Sequence, residues 1–228
     1  MEFICDKKDL HDGISIVERI ITPRSTLPII GNILFEANRE GLKLSANCLE
    51  IGMELTVKAK VAKEGAILLP AKVLSGVVSR LPESAIGFKL AESGMMQISY
   101  KQSCFNIHSL PPEEFPALPK VKDGKTFSIP AEVFASMIRQ TVFAVSASED
   151  KHVLSGVLFE VGKGDSTGES SNFRLVATDG YRLAKRGEKV DPGSVGKFAV
   201  IIPARTLQEL SKTLDGKSED MLKIMVSS

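Results

Sequence analysis

Leu68-Leu69-Pro70-Ala71-Lys72, with Leu74 and Leu81 after it, returns as Ile201-Ile202-Pro203-Ala204-Arg205, with Leu207 and Leu214 after it. One offset carries the whole stretch, since 203 − 70 = 133. Each copy reads as an apolar strand that turns into a helix at its Pro-Ala step. In the later copy Leu207, Leu210 and Leu214 make an apolar stripe, with Arg205, Gln208, Glu209 and Lys212 on the other side. A strand-to-helix junction repeated at this distance points to a fold built from two like units.

Phe127-Ser128-Ile129-Pro130 through Val133, Phe134 and Ile138 mirrors Phe3-Ile4 through Leu10 and Ile14, with 127 − 3 = 124. Val157-Leu158-Phe159-Glu160 matches Ile33-Leu34-Phe35-Glu36 at the same offset, 157 − 33 = 124. Phe173 to Asp179 resembles Leu42 to Cys48 at 173 − 42 = 131, so residues are inserted between these blocks. The stretch from Gly162 to Asn172 holds them: rich in Gly, Ser, Asp and Glu and without periodicity, it reads as a solvated hairpin loop.

Each unit reads as strand, helix, strands, strand, helix, strands. Leu10, Ile14, Val17 and Ile21 recur at helical spacing after Asp9, and Pro130 suits the first position of a helix carrying Val133, Phe134, Met137 and Ile138. Gln97 to Tyr100 and Phe105 to His108 alternate as strands do. Helix and strand are comparable in amount, without the strict alternation of a parallel sheet. The fold class is therefore α+β, with two helices per unit on largely antiparallel sheets. The units are placed at residues 1–120 and 125–228, joined through Pro111 to Pro116 and Pro119 to Gly124. After Leu81 the first unit continues for about 40 residues of strand-like sequence, whereas 14 residues follow Leu214, so the second unit is expected to lack its last strands.

With 43% hydrophobic and 25% charged residues the chain is globular in composition, which excludes disorder. Asp6, Lys7, Lys8 and Asp9 stand where a signal peptide needs an apolar core, and apolar runs are short, so a cytoplasmic protein is expected. Cys5, Cys48 and Cys104 are odd in number and scattered, which fits neither a disulfide framework nor a zinc site. The net charge of +1 announces no nucleic-acid partner, so any basic surface is local.

Residues that would carry catalysis are not found. His11, His108 and His152 lie in unrelated contexts, outside any His-x-x-x-His pair. The run from Gly162 to Gly168 lacks the Gly-Lys-Ser/Thr ending of a phosphate loop and leads into no helix. Gly164-Asp165-Ser166-Thr167-Gly168 has the Gly-x-Ser-x-Gly spacing of a nucleophile elbow, but it falls inside the same loop and not at a strand-to-helix turn. The expectation is a protein that is not an enzyme and holds no metal or cofactor.

Two stretches narrow the reading to a family. Ser25 to Leu34, Ser-Thr-Leu-Pro-Ile-Ile-Gly-Asn-Ile-Leu, and Val176 to Ala184, Val-Ala-Thr-Asp-Gly-Tyr-Arg-Leu-Ala, resemble signature segments of bacterial sliding clamps, the beta subunit of DNA polymerase III. Ser109 to Pro116 resembles that family's first interdomain junction, and the likeness runs through all 228 residues in order. It implies a clamp fold cut within its second domain, the third domain being absent. The implied function is a processivity factor of DNA replication that encircles duplex DNA and tethers enzymes to it. Implied partners are double-stranded DNA, the DNA polymerase III alpha subunit and other clamp-binding polymerases, the clamp loader, mismatch-repair and ligase clients, and, at full length, a second copy in a homodimer; a membrane is not among them.

A clamp must attract phosphates weakly and without base preference, because tight contacts would stop it sliding. Lys72 and Arg205, at equivalent positions, are the leading candidates, with Arg80, Arg139 and Lys212 beside them. The plain alternative for each is a solvated helix face. By resemblance Arg24, and Lys151 and His152 in the loop Ser148 to Val153, also reach DNA. Resemblance further assigns Leu154, Thr178, Gly180, Tyr181, Arg182 and Leu183 to a pocket for short client peptides, and Val73, Val77, Leu81, Phe105 and Ile107 to a subunit edge. Val77 and Leu81 read equally well as core. Two rival readings stand: a duplicated scaffold that binds only protein, and a nucleotide-handling enzyme, which would need an acidic metal cluster not visible here.

Overall fold

Phe3 and Cys5 point one way along an extended segment and Ile4 the other, and Asp6 ends it by accepting a hydrogen bond from the Lys8 N–H at 2.9 Å. That carboxylate caps a helix, so strand passes into helix without a loop. The computed structural model describes residues 1–21, 27–119, 121, 124–148, 152–162, 172–190, 197–214 and 220–227, apart from the side chains of Lys125 and His152. The chain divides into two compact units, Met1–Leu118 and Pro119–Ser228.

In the first unit β1 (Glu2–Asp6) and α1 (Lys7–Val17) lead through two 3-10 turns, Glu18–Ile20 and Pro28–Gly31, to β2 (Asn32–Asn38). There follow β3 (Gly41–Asn47), β4 (Gly52–Val57), β5 (Ala59–Lys63), β6 (Gly65–Pro70), α2 (Ala71–Val78), β7 (Ala85–Leu90), β8 (Met95–Tyr100) and β9 (Ser103–His108). The strands form two antiparallel sheets, ordered β4-β3-β2-β6 and β5-β1-β7-β8-β9. The two helices pack on each other, and Leu10, Ile14, Val17, Leu74 and Val78 join the inward residues of both sheets in one core. At its heart Phe3 stacks on Phe88 with ring centres 4.8 Å apart.

The second unit runs β10 (Lys125–Pro130), α3 (Ala131–Thr141), 3-10 turns at Val142–Ala144 and His152–Ser155, and β11 (Gly156–Val161). It continues with β12 (Phe173–Thr178), β13 (Leu183–Glu188), β14 (Phe198–Pro203), α4 (Ala204–Leu214) and β15 (Met221–Val226). Its sheets are β13-β12-β11-β14 and β10-β15. Phe127, Phe134, Phe159 and Phe173 fill the core where the first unit places Phe3, Leu10, Phe35 and Leu42. Each such burial contributes roughly 1.5–3 kcal/mol, so exchanging Leu for Phe keeps the drive to fold while changing the packing.

The repeat holds down to the pairing register. Asn32 opposes Pro70 and Gly156 opposes Pro203; Leu34 opposes Ser45 and Leu158 opposes Val176; Phe3 opposes Phe88 and Phe127 opposes Ile224. The predicted insertion is bounded by a hydrogen bond from the Gly162 N–H to the Asn172 carbonyl at 2.8 Å, with residues 163–171 outside the described part. Three details differ from the sequence reading. Pro130 is the last residue of β10 and the N-cap of α3, so the helix opens at Ala131; α1 opens at Lys7, ahead of Asp9; and Ile21 falls beyond it. A fixed φ near −65° suits the residue before a helix as well as its first residue, and sequence alone does not separate the two.

Candidate functional site

Between β12 and β13 the chain reverses over Thr178 to Leu183, which face each other as the closing pair. Gly180 has φ +94°, a left-handed conformation that costs glycine little. The Thr178 hydroxyl donates to the Arg182 carbonyl at 2.7 Å and accepts the Gly180 N–H at 3.1 Å. Asp179 accepts the backbone N–H groups of Tyr181 at 2.9 Å and Arg182 at 3.0 Å, and Arg182 Nε at 3.0 Å. These bonds, the backbone ones first, hold the Asp179 carboxyl below its ordinary value. The turn is thus fixed from inside while its apolar side chains are left outside: Tyr181 is 96% exposed and Leu183 66%.

Two further segments attach to it. Arg182 Nη2 donates to the Phe143 carbonyl at 2.8 Å and its guanidinium carbon lies 5.6 Å from the centre of the Phe143 ring. The Ser146 N–H donates to the Leu154 carbonyl at 2.8 Å, tying the segment after α3 to the turn before β11. Phe143 is 57% exposed and Val153 66%, with Leu154 half-buried beside it. Leu154, Thr178, Gly180, Tyr181, Arg182 and Leu183 therefore belong to one linked set of segments. Phe143 and Asp179 belong with them and were missed. The signal for Phe143 was an aromatic residue lying just past the α3 stripe of Phe134, Met137, Ile138 and Thr141.

The first unit makes the same turn. Leu49 has φ +74° where Gly180 stands, and Asn47 Oδ1 accepts the Leu49 N–H at 2.7 Å as the Thr178 hydroxyl accepts that of Gly180. There, however, the chain covers the turn itself. Asn47 Nδ2 donates to the Pro116 carbonyl at 3.0 Å, Ile51 is buried, and a Cβ on Gly52 would run into the Leu118 side chain. An extended apolar segment, Phe115-Pro116-Ala117-Leu118, lies where the second unit presents bare side chains.

Lys72 and Arg205 are exposed at the second positions of α2 and α4. Arg139 is exposed in the last turn of α3, and Lys212 on α4 pairs with Glu209 at 2.8 Å. The helices of each unit carry three cations against two carboxylates: Lys7, Lys8 and Lys72 with Asp9 and Asp12, then Arg139, Arg205 and Lys212 with Glu132 and Glu209. Arg80 is spent partly on its own helix end, donating through Nη1 to the Gly76 carbonyl at 2.8 Å. Arg24 and Lys151 lie outside the described residues, as does the side chain of His152.

Lys72, Val73, Val77, Arg80, Leu81 and Phe105 line one groove of about 410 Å³ between α2 and β9, so candidates for two different tasks meet there. Val73 and Phe105 are exposed. Leu81 and Ile107 are both buried, and Ile107 sits on the inward face of the edge strand β9. Among the described residues no cluster of His, Cys, Asp and Glu is arranged to hold a metal ion, and no helix is long and apolar enough to cross a membrane.

Comparison with known proteins matches residues 1–119 to the N-terminal domain of the DNA polymerase III beta subunit and residues 128–228 to its central domain. The beta sliding clamp of Halalkalibacterium halodurans is 35% identical over 237 residues, covering 100% of this chain and 60% of the relative. That of Synechocystis is 36% identical over 247 residues, covering 100% and 61%. Among solved structures, the Bacillus subtilis DNA polymerase sliding clamp superimposes with a TM-score of 0.92 at 29% identity, over 100% of this chain and 60% of that one. The Bartonella birtlesii clamp, solved bound to griselimycin, gives 0.89 at 31%, again over 100% and 60%. The chain thus spans about 60% of the length of the relatives it matches.

Proposed function

The chain belongs to the DNA polymerase III beta subunit family, and from that premise we propose that it serves in a DNA sliding clamp, a non-enzymatic ring that keeps replication and repair enzymes on duplex DNA in the cytoplasm. The observation that carries this is the repeat: two units with the same strand register, matched in order to the N-terminal and central domains of that family.

The helix faces turn toward the duplex. Lys72, Arg139, Arg205 and Lys212 give it a thin cationic lining, offset by carboxylates, which holds phosphates loosely and leaves the protein able to slide. Arg24, Lys151 and His152 add contacts from loops, and Arg80 a weaker one. The turn at Thr178 to Leu183, with Leu154, receives extended client peptides, from polymerases, the clamp loader and repair enzymes, by covering one or two of their apolar side chains. The Phe115 to Leu118 segment on the sister turn supports this, being an apolar extended peptide seated on the same backbone conformation. The groove of Val73, Val77 and Phe105, beside the open edge of β9, meets a second subunit, with Leu81 and Ile107 backing it from the core.

Anisotropy on a labelled duplex tests the DNA contacts. Binding is expected to be weak, indifferent to sequence and steeply salt-dependent. Lys72→Ala with Arg205→Ala, and separately Arg24→Ala with Lys151→Ala, should each flatten the slope of log K against log salt by ~1.8, about 0.9 for each phosphate no longer neutralised. Slopes unchanged in both pairs would refute the reading.

A further inference from the structure

Building on the docking reading of the Thr178 to Leu183 turn, we infer that Phe143 is a positioning residue of that surface and acts through Arg182. An exposed arginine left to itself samples many rotamers and would sweep the space above Tyr181 and Leu183. Here the guanidinium is held on three sides: Nε on Asp179 Oδ2 at 3.0 Å, Nη2 on the Phe143 carbonyl at 2.8 Å, and its carbon over the Phe143 ring, 5.6 Å from the ring centre. The two hydrogen bonds fix its direction, and the ring gives it a surface to lie on.

The fold does not require this arrangement. With the offsets of the repeat, Phe143 corresponds to Arg19 (143 − 124 = 19), Asp179 to Cys48 (179 − 131 = 48) and Arg182 to Ile51 (182 − 131 = 51). The first unit makes the same turn with none of the three, and buries Ile51 in its core. Nor does the Phe143 ring serve the core, since it is more than half exposed and lies outside the second unit's buried cluster. The aromatic ring, the arginine and the aspartate come together in the second unit and have no counterpart in the first. Held this way, Arg182 offers its aliphatic stem as a wall beside Tyr181 and Leu183 and keeps its charge away from the space an apolar side chain enters.

The test is an NMR titration of the labelled 228-residue chain with a short peptide carrying two neighbouring leucines. Phe143→Ala is expected to weaken binding about two- to fivefold, the span of an exposed cation–π contact. Phe143→Tyr should restore it, and Phe143→Leu, apolar but without a ring, should not. In an Arg182→Ala background Phe143→Ala should have no further effect, and the Arg182 Nε–H signal should broaden in Phe143→Ala alone. Additive losses, full binding by Phe143→Leu or an unmoved Nε–H signal would overturn the assignment. Binding left intact by Arg182→Ala would overturn it as well, whereas no response to the peptide from the wild-type chain would remove the docking reading and this assignment with it.

Discussion

The two reversals at Asn47 to Gly52 and Thr178 to Leu183 share a backbone and differ in what lies over them. Both place a left-handed residue third, Leu49 or Gly180, and both satisfy its N–H from a side chain two positions back. In the first unit the connecting segment returns across the sheet end: Pro116 and Leu118 cover the turn, and Leu110 exchanges two hydrogen bonds with Leu68 on the outer edge of β6, at 2.9 and 3.0 Å. In the second unit, among the described residues, β14 pairs only with β11, and its Ile201, the counterpart of Leu68, is 42% exposed where Leu68 is 0%. Burial at these positions is decided by a neighbouring segment and not by the strand's own sequence. The same backbone turn can therefore stand in two different surroundings within one repeated scaffold.

Truncating the paired side chains on β6 and β14 should separate the two strands most sharply. Leu68→Ala removes a side chain that faces away from the main core and is sealed by the connecting segment, and should cost about 2–5 kcal/mol. Ile201→Ala should cost less than about 1 kcal/mol. Native-state hydrogen exchange reads each locally, through the amides of β2 and of β11. Similar losses at the two sites would mean that the open edge of β14 is as well packed as the closed edge of β6.

A smaller effect concerns acid. The Asp179 carboxyl is held below its ordinary value chiefly by the Tyr181 and Arg182 N–H groups. A depressed carboxylate stabilises the turn fully above its unfolded value, at about pH 4, and that contribution is lost as pH falls through the lower folded value. Amide shifts of Tyr181 and Arg182 should therefore move with a midpoint below the ordinary aspartate range. Movement centred at or above the ordinary aspartate range would show that the bonds to Asp179 do not persist in solution. The Asn47 turn lacks this carboxylate, and Leu49 should show no matching transition.

Much of this was legible in the chain. The repeat offsets located α1, α3, both Pro-Ala junctions and the order of strands, because an apolar residue that must be buried keeps its place through duplication while loops absorb the insertions. The turn residues from Thr178 to Leu183 stood out through Asp-Gly and a family resemblance. What was not legible depended on contacts distant in sequence. Nothing near Phe143 announces Arg182, 39 residues away. Ile107 alternates as an edge-strand residue should, yet its face of β9 turns inward. The exposure of Ile201 hides behind a motif, Ile-Ile-Pro-Ala, that is buried in its twin.

In the proposed clamp both units present their helices to DNA. Photocrosslinking from p-benzoylphenylalanine placed at Lys72, at Arg205 and, as a control, at the exposed Lys60 on β5 tests it directly, with a random-sequence duplex at low salt. Crosslinks from 72 and 205, both vanishing as salt rises, with none from 60, are the predicted result. A crosslink from only one of the two helices, or one as strong from 60, would contradict it.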